Sequence, residues 1–290
     1  RTTWDTGRPP GWCRAFSELL SRTSCAFLAF LLVVQAAIAG EGGAQTKAPL
    51  DAAAWQKFVA TEASCRALRQ APQDFLKRVN YRFDCGKDCD ARHQRVIEYR
   101  TRRYGRFGDF GEAAWNDRAP REETLATRFL GLELRVNRHL LPLLACVERE
   151  LGRDCVTCKA DPRYPGECAA KDFPYRPKRL SGLRTRNTFR GGEVSNHVYG
   201  IGLDLDPTRN TCCRCVKKWR SHPLCAKGLP LHLRMVMPMC WVHVFERYGF
   251  YWLGEDRLQD TMHVEFLGEP ERVEEALGQI YQKNMSAPTP

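Results

Sequence analysis

The sequence lacks an apolar run that is long enough to cross a lipid bilayer comfortably. Its longest apolar stretch, residues 25–39, has about 15 residues, whereas a membrane-spanning helix needs about 20. The sequence also lacks an internal repeat, which argues against solenoid and propeller architectures. With 290 residues, of which 43% are hydrophobic, the chain has the ordinary composition of a globular protein with one or two cores.

Residues 1–39 have the pattern of a secretory leader. Arg14 and Arg22 precede the apolar run, which closes in Ala37-Ile38-Ala39, an A-x-A cleavage pattern. We therefore predict export to the periplasm, the cell envelope or the extracellular space, with no stable membrane span after cleavage before Gly40. An uncleaved membrane anchor is the alternative.

Cysteine, by contrast, is abundant. The chain has 14 cysteines, and two of them, Cys13 and Cys25, lie in the leader. In an oxidising compartment the remaining even number is expected to form disulfides, which would staple the loops of a small domain. The alternative is a structural zinc site, because two groups of cysteines have ligand-like spacing: Cys155 with Cys158, and Cys212, Cys213, Cys215 and Cys225.

Basic residues outnumber acidic ones, 45 to 34, and the formal net charge is +11. Much of the excess lies in residues 77–106, where arginines alternate with Tyr81, Tyr99 and Tyr104. Such a face is compatible with plain solvation or with attraction to anionic envelope polymers. Nucleic acid is a less favoured partner, because an exported protein more often meets envelope polymers than nucleic acid.

Apolar periodicity and punctuating residues predict the elements of the first part of the mature chain. In chain order these are a helix over 51–69, an irregular connector over 80–117 tied by Cys85 and Cys89, one long helix or two over 122–151 with an interruption near Pro142, and a loop over 155–178.

The rest of the chain is predicted to hold short strands. The expected elements are strands at 180–185, 200–205 and 262–267, helices at 238–249 and 270–283, and a cysteine-rich insertion at 208–232. Side chains alternate along a strand, so Leu203 and Leu205 are expected to face the core while Asp204 and Asp206 point the opposite way.

Two separated motifs supply the ligands of a catalytic zinc site. The stretch 195–204 contains His197 and Asp204, and His263 follows much later in the chain. Zinc in hydrolases takes three His, Asp or Glu ligands and leaves a fourth position for water. We therefore predict one Zn²⁺ bound by His197, Asp204 and His263, with Asp206 as a geometric competitor.

Asp260 is the candidate proton shuttle, because it lies three residues before His263 and would be near the metal without being a ligand. Glu265, two residues after His263 on the same strand face, is expected either to orient that imidazole or to form a surface salt bridge. The other histidines considered, His243, His222 and His232, are expected to be packed or exposed.

These motifs resemble the VanY-like zinc peptidases, a family of D-alanyl-D-alanine carboxypeptidases and L-alanyl-D-glutamate endopeptidases. The family pattern is S-x-H-x-x-G-x-A-x-D, then D-x-x-H or E-x-x-H, with S-G-Y-R-[ST] upstream. Residues 195–204 match with Gly202 in place of Ala, residues 260–263 read D-T-M-H, and residues 181–185 read S-G-L-R-T. Phe250-Tyr251-Trp252 is similar to a G-F-x-W run of the endopeptidase branch. The interval between Arg184 and His197 is shorter than usual.

The resemblance, over about 118–267, implies a hedgehog/DD-peptidase-like α+β fold. A small antiparallel sheet flanked by helices would carry the zinc site in a domain spanning 118–290, behind a cysteine-rich helical N-terminal region at 40–117. It implies Asp204 rather than Asp206 as the ligand. By position it makes Arg184 a substrate-binding and catalytic residue, with Arg186 or Arg190 as substitutes, and it places Ser195 at the rim as a substrate hydrogen-bond donor or a turn cap.

The implied activity is hydrolysis of amide bonds in peptidoglycan stem peptides by zinc-activated water. A non-catalytic, disulfide-rich cell-wall-binding or signalling module of the same fold is the alternative. Asp260 argues against that alternative, because a structural zinc site has no use for a proton shuttle. A purely structural cysteine-rich secreted protein is a third class, and it leaves the ordered motifs unexplained.

Overall fold

Small antiparallel sheets flanked by helices make up the described part of the chain, which confirms the predicted α+β class. The computed structural model describes residues 52–77, 89–188, 194–215 and 217–286. All of them belong to one unit, Pro49–Pro290. The predicted leader and Cys85 lie outside the described residues. No helix within the described ranges is long and apolar enough to cross a membrane.

The helices are α1 (Ala52–Gln56), α2 (Glu62–Ala67), α3 (Asp74–Lys77), α4 (Cys89–Tyr104), α5 (Leu140–Asp154), α6 (Glu167–Ala170), α7 (Lys217–Arg220), α8 (Met239–Glu246) and α9 (Pro270–Ser286). The strands are β1 (Thr124–Phe129), β2 (Leu132–Asn137), β3 (Leu180–Ser181), β4 (Gly202–Leu205), β5 (Phe250–Trp252) and β6 (His263–Phe266). The predicted boundary between 40–117 and 118–290 stays a prediction.

The sheet that carries the candidate site has the order β3-β4-β6-β5, and all of its strands are antiparallel. Every residue of β4 and β6 is buried, so these two strands form the centre of the sheet. In their register Asp204 lies opposite His263, and Gly202 lies opposite Glu265. The strand predicted at 180–185 is shorter, because pairing with β4 ends at Ser181.

The core lies between this sheet and helix α8, and it continues through α5, which packs on α8 and on strands β1 and β2. Phe250 and Phe266 pack edge to face at a centroid distance of 5.7 Å, and Phe245 of α8 contacts Phe250 at 5.2 Å. All three are at most 1% exposed. Full burial of a side chain of this size contributes about 1.5–3 kcal/mol relative to exposure, so this aromatic cluster fixes α8 against the sheet.

The prediction of a long helix over 122–151 is wrong in its first half. Residues 124–137 form the antiparallel hairpin β1-β2, and only α5 is helical. The turn is made by Leu130 and Gly131, which both have positive φ, 54° and 78°. Such a two-residue turn matches the right-handed twist of the strands. Pro142 does not interrupt α5, because it lies in the first turn, where its missing N–H has no helical partner.

The predicted helix over 51–69 is divided into α1 and α2. Thr61 caps α2: its hydroxyl accepts a hydrogen bond from the Ser64 N–H, and the Ser64 hydroxyl accepts one from the Thr61 N–H. This reciprocal capping starts a new helix rather than continuing the first.

The connector predicted at 80–117 is also partly wrong, because its middle forms the helix α4. Within the predicted basic stretch 77–106, the described arginines of α4 include several with intramolecular partners. Arg102 pairs with Glu98, Arg103 pairs with Glu271, and Arg100 is buried and donates to the Val194 carbonyl. Attraction of this stretch to anionic polymers stays a prediction.

Five disulfides join ten of the described cysteines, as predicted. The pairs are Cys65–Cys146, Cys155–Cys240, Cys158–Cys168, Cys212–Cys215 and Cys213–Cys225. The pairing uses the sulfurs of both groups that had zinc-like spacing. The first two pairs close loops of 81 and 85 residues, for which chain entropy predicts about 4 kcal/mol of stabilisation each.

We expect alkylation of the denatured, unreduced protein to leave these ten cysteines unmodified, because a disulfide sulfur does not react with the reagent. Peptide mass spectrometry before and after reduction measures this position by position. Alkylation of Cys155 and Cys158, or of four or more of the ten without reduction, would contradict the pairing.

Glu150 of α5 is the buried centre of an ion-pair cluster that joins three parts of the chain. Its Oε1 accepts from Arg69 at 2.6 Å and from the Tyr248 hydroxyl at 2.5 Å, and its Oε2 accepts from Arg247 at 2.8 Å. Burial alone would raise the pKa of Glu150, but these three hydrogen bonds outweigh it and lower the pKa. The cluster therefore stabilises the folded protein at neutral pH.

We expect Glu150→Ala to lower the free energy of unfolding by about 2 kcal/mol or more, because it leaves the buried Tyr248 hydroxyl and Arg69 without this acceptor and leaves Arg247 with Asp154 alone. Both arginines remain partly exposed, which keeps the loss below that of a fully buried pair. Urea unfolding measures the effect, with the exposed Glu148→Ala on the same helix as the control. Equal midpoints for the two variants would refute the role of the cluster.

Candidate metal centre

Three ligand-type atoms converge on one buried point of the central sheet. The Nε2 atom of His197 lies 3.2 Å from Asp204 Oδ1 and 3.2 Å from His263 Nδ1, and His263 Nδ1 lies 2.9 Å from Asp204 Oδ1. All three residues are buried. This group could hold a metal ion, and it is the set of residues predicted from the sequence.

The backbone explains why these distant residues meet. Asp204 and His263 are direct cross-strand partners in β4 and β6, so their side chains leave the same face of the sheet. His197 lies in a 3₁₀ turn, Asn196–Tyr199, just before β4. Gly200 ends this turn with φ +70°, and a Cβ there would lie 2.7–2.8 Å from Thr124 and Asn137, so only glycine fits.

The outward nitrogens of both imidazoles are hydrogen-bonded to acceptors. Nδ1 of His197 lies 2.6 Å from the Gly182 carbonyl, and Nε2 of His263 lies 3.1 Å from Glu265 Oε2. A carbonyl or a carboxylate can only accept, so these outward nitrogens carry hydrogens. The inward nitrogens face Asp204 Oδ1, and loss of the proton held there would leave their lone pairs free to bind a cation. The donor set therefore fits a divalent cation.

Charge supports the same fit. Burial alone would lower the pKa of His263, but its hydrogen bonds with Asp204 and Glu265 outweigh this and raise it to about 10. Burial would raise the pKa of Asp204, yet the two histidines hold it well below its usual range. The cluster therefore stabilises positive charge at its centre, which a bound cation supplies in place of a proton.

Glu265 and Asn196 hold His263 from behind. Glu265 is 3% exposed, and its Oε2 also accepts from Asn196 Nδ2 at 2.7 Å. The position of Glu265 is therefore that of an orienting acceptor rather than of a surface salt bridge. Asn196 was not predicted from the sequence, although its place between Ser195 and His197 in the S-x-H motif was a signal that could have identified it.

Gly182 is a second residue of the site that was not predicted from the sequence. A Cβ at this position would lie 2.4 Å from the Arg135 carbonyl of β2, so the glycine permits close contact between the hairpin and the 180–185 segment. That contact delivers the carbonyl that orients His197. The glycine of the S-G-x-R-T element was the signal that could have identified it.

Asp260 lies beside the cluster and is poorly hydrogen-bonded. Its Oδ1 is buried with no hydrogen-bond partner in the described structure, and its Oδ2 is 3.6 Å from Cys215 Sγ, which has no hydrogen to donate because it is disulfide-bonded. Burial and the negative charge of Asp204 raise the pKa of Asp260 to about 7, against the opposing effects of His263 and Arg184. This carboxyl can therefore both accept and release a proton near neutral pH.

Arg184 is placed at the cluster by a backbone hydrogen bond of 3.0 Å from its N–H to the His197 carbonyl. Its guanidinium donates to Asp204 Oδ2, the oxygen that faces away from the histidines, and to the Thr188 hydroxyl at 3.3 Å. Ser195 caps the turn, and its hydroxyl accepts from the His197 N–H at 3.4 Å. The capping role anticipated for Ser195 is therefore present in the structure.

Asp206, the predicted competitor, is not part of the cluster. The strand ends at Leu205, and Asp206 has φ +45°, so the side-chain alternation stops before it. Its carboxylate instead accepts from the backbone N–H groups of Lys178 and Arg179 at 2.6 and 2.9 Å and from the Tyr175 hydroxyl at 2.9 Å. It is a structural clamp.

The other histidines lie apart from the cluster. His243 Nε2 is 3.1 Å from the Tyr164 hydroxyl, His232 Nε2 is 3.0 Å from the Pro165 carbonyl, and His222 caps a short turn through its Nδ1. Their contacts are those of packing and capping. Arg190, considered as a substitute for Arg184, lies outside the described residues.

Comparison with known proteins agrees with the motifs. Residues 189–266 match the sequence model of a family described as D-alanyl-D-alanine carboxypeptidase. No curated protein and no solved structure matches the chain. The matched stretch contains the S-x-H and D-x-x-H motifs and ends with β6, and it begins after the S-G-L-R-T element. The predicted resemblance to VanY-like carboxypeptidases is thus confirmed over these residues.

Proposed function

We propose that this protein is an exported zinc-dependent peptidase that hydrolyses amide bonds in peptidoglycan stem peptides. The observation that carries the proposal is the buried His197, Asp204 and His263 cluster with both outward imidazole nitrogens occupied, beside an acid whose pKa lies near neutrality. The family match supplies the class of reaction, that of a carboxypeptidase-like peptidase.

Zinc is the metal proposed for this site, because two imidazoles and one carboxylate are its usual ligands in hydrolases. When bound, zinc would supply a Lewis acid that activates water and polarises the scissile carbonyl. His197, Asp204 and His263 would hold it, and Glu265 and the Gly182 carbonyl would keep the two imidazoles in their orientation.

Asp260 is the group that moves the proton. In its ionised form it takes a proton from the attacking water while the water oxygen bonds to the amide carbon. It then gives that proton to the departing amine nitrogen as the carbon–nitrogen bond breaks, so the products are a carboxylic acid and an amine. The unpaired Oδ1 is the atom available for this transfer.

Arg184 is proposed to hold Asp204 and to face the substrate from the same side of the site. Its planar fork can keep one N–H on Asp204 and offer others to a carbonyl or carboxylate. Ser195 is proposed only as the cap that sets the turn around His197.

We expect Arg184→Lys to lower kcat/KM by about 10- to 100-fold at saturating zinc, because an ammonium cannot reproduce a fork that spans two acceptors. Steady-state kinetics on a defined stem peptide measures this. The exposed Arg186→Lys is the matched control and should keep wild-type activity. If Arg184→Lys is silent and Arg186→Lys is damaging, the role belongs to Arg186 instead.

Export is part of the proposal and rests on the five disulfides and on the leader pattern of residues 1–39.

The direct test is incubation of the purified, oxidised protein with muropeptides, followed by mass analysis. We expect about one zinc per chain, a product shortened at one amide bond, loss of activity with a chelator and recovery with zinc. A protein that holds zinc and binds peptidoglycan but cleaves no stem peptide would instead be the non-catalytic wall-binding module.

A further inference from the structure

A cleft of about 400 Å³ opens beside the candidate metal centre. It shares Asp204 and Arg184 with that centre, and its other lining residues include Arg179, Pro207, Trp219 and Met262. Its volume lies within the range of small-molecule sites, about 300–1,000 Å³. Because the proposed zinc ligand Asp204 lines the cleft, a group bound there would lie next to the amide bond that is cleaved.

We propose that this cleft binds the C-terminal residue of the substrate, with Arg179 pairing with its carboxylate and Trp219 covering its aliphatic side chain. This rests on the proposed peptidase function and makes the enzyme a carboxypeptidase rather than an endopeptidase. Neither Arg179 nor Trp219 belongs to the motifs that identified the site.

The charges around the cleft favour an anion. Among its described lining residues Asp204 is the single acid, and Arg184 already donates to that carboxylate. Arg179 is a further cation of the lining, and no carboxylate of the described residues forms an ion pair with its side chain. A substrate carboxylate would therefore find a guanidinium for which none of those carboxylates competes.

Arg179 is also held in place by its backbone. Its N–H donates to the buried carboxylate of Asp206 at 2.9 Å, and its carbonyl accepts from the Asp206 N–H at 2.8 Å. Asp206 in turn is fixed by Tyr175 and Arg209. The clamp that removes Asp206 from the metal cluster thus anchors Arg179 close to the proposed ligand Asp204.

Trp219 reaches the cleft from the cysteine-rich insertion, 208–232. It lies in α7, between Cys215 and Cys225, and both of these cysteines form disulfides within the insertion. The insertion is joined to the segment that carries Asp260, since Thr261 N–H donates to the Thr211 carbonyl at 2.8 Å. Disulfides and hydrogen bonds therefore hold the insertion that carries Trp219.

The apolar part of the lining is formed by Trp219, Pro207 and the largely buried Met262. It lies in the same cleft as the two arginines, so an aliphatic side chain and a carboxylate of one residue can contact both at once. This combination is the chemistry of a free C-terminal amino acid. An internal residue joined by ordinary α-peptide bonds on both sides would offer its side chain without a free main-chain carboxylate.

The test compares two stem peptides that differ only in ending with a carboxylate or a carboxamide. Wild-type enzyme should prefer the carboxylate by about 10- to 100-fold in kcat/KM, the effect of one charge-assisted hydrogen bond. Arg179→Gln should lose this preference by slowing only on the carboxylate peptide, while the exposed Arg186→Gln should keep it. Zinc content equal to wild type shows that the site is intact in each variant.

Trp219 is tested by a graded pair of substitutions. Trp219→Ala should raise KM about 10-fold with little change in kcat, and Trp219→Phe should stay within a factor of about three because it retains an aromatic wall. Circular dichroism and disulfide mapping confirm that the insertion is still folded.

The outcomes separate the two levels of the proposal. If wild-type enzyme cleaves both peptides equally, or if Arg179→Gln keeps the preference for the carboxylate, the inference about the cleft is overturned while the peptidase function stands. If zinc-loaded wild-type protein cleaves neither peptide nor any other muropeptide, the proposed function fails and the inference fails with it.

Discussion

Replacing His197 with alanine is expected to abolish stoichiometric zinc binding while leaving the fold intact. His197 supplies one of three converging ligand atoms, and no other described His, Cys, Asp or Glu side chain joins this group. Loss of a partner that only orients a ligand already costs about 10- to 100-fold in metal affinity, so loss of the ligand itself should cost more. Elemental analysis after dialysis against a weak chelator measures the zinc content of each variant.

Two further variants make this experiment specific. His243→Ala removes a histidine that bonds Tyr164 outside the cluster, and it should retain one zinc per chain. Glu265→Gln keeps the shape of the residue behind His263 but weakens its acceptor, and it should lower zinc affinity by about 10- to 100-fold without abolishing binding. Full zinc content in His197→Ala or in His263→Ala would rule out the proposed site.

The three converging residues could be predicted from the sequence. Two short motifs supply them, and antiparallel strand pairing brings the two motifs together. The H-x-x-G-x-G-L-D pattern places a turn histidine next to a buried strand, and D-T-M-H places a second histidine at the start of another. Antiparallel pairing of those two strands brings Asp204 opposite His263. The α+β class was implied by the resemblance to VanY-like peptidases, and the short strands and flanking helices of the structure agree with it.

The hairpin β1-β2 could not be predicted by apolar spacing alone. Leu125, Phe129, Leu132, Leu134 and Val136 are compatible with helical spacing, but Leu132, Leu134 and Val136 also alternate as in a strand. The hairpin rather than a helix forms because Leu130 and Gly131 adopt the positive φ angles of the turn and because the two strands pair along their full length. A turn of this kind has a weak sequence signal when it lacks Asn or Asp before the glycine.

Asp206 shows a second limit of prediction from the sequence. Alternation along a strand predicts its direction only while the strand continues, and the chain leaves the sheet at Leu205. The acceptor role of Asp206 depends on N–H groups of residues 178 and 179, which lie far from it in the sequence. Likewise, only the folded insertion shows that Trp219 lines the same cleft as Asp204.

Asp260→Asn is expected to retain zinc and to lose most of the turnover, by about 10²- to 10⁴-fold in kcat. The substitution keeps the size of the side chain, so the backbone contacts of residue 260 with Cys212 and Leu253 should persist. An amide, however, cannot accept the proton of the attacking water. The residual rate would reflect the metal and substrate binding alone.

The pH profile adds a readout that a structural role would not change. A general base must be ionised, so kcat/KM should fall as pH decreases through the pKa of Asp260, which burial raises to about 7 and which a bound cation would lower. This acidic limb should disappear in Asp260→Asn. The exposed Glu255→Gln, from the turn before Asp260, is the control and should keep both rate and limb. Turnover by Asp260→Asn within a few-fold of wild type, with its acidic limb unchanged, would assign proton transfer to another group, and Glu265 would then be the next to test.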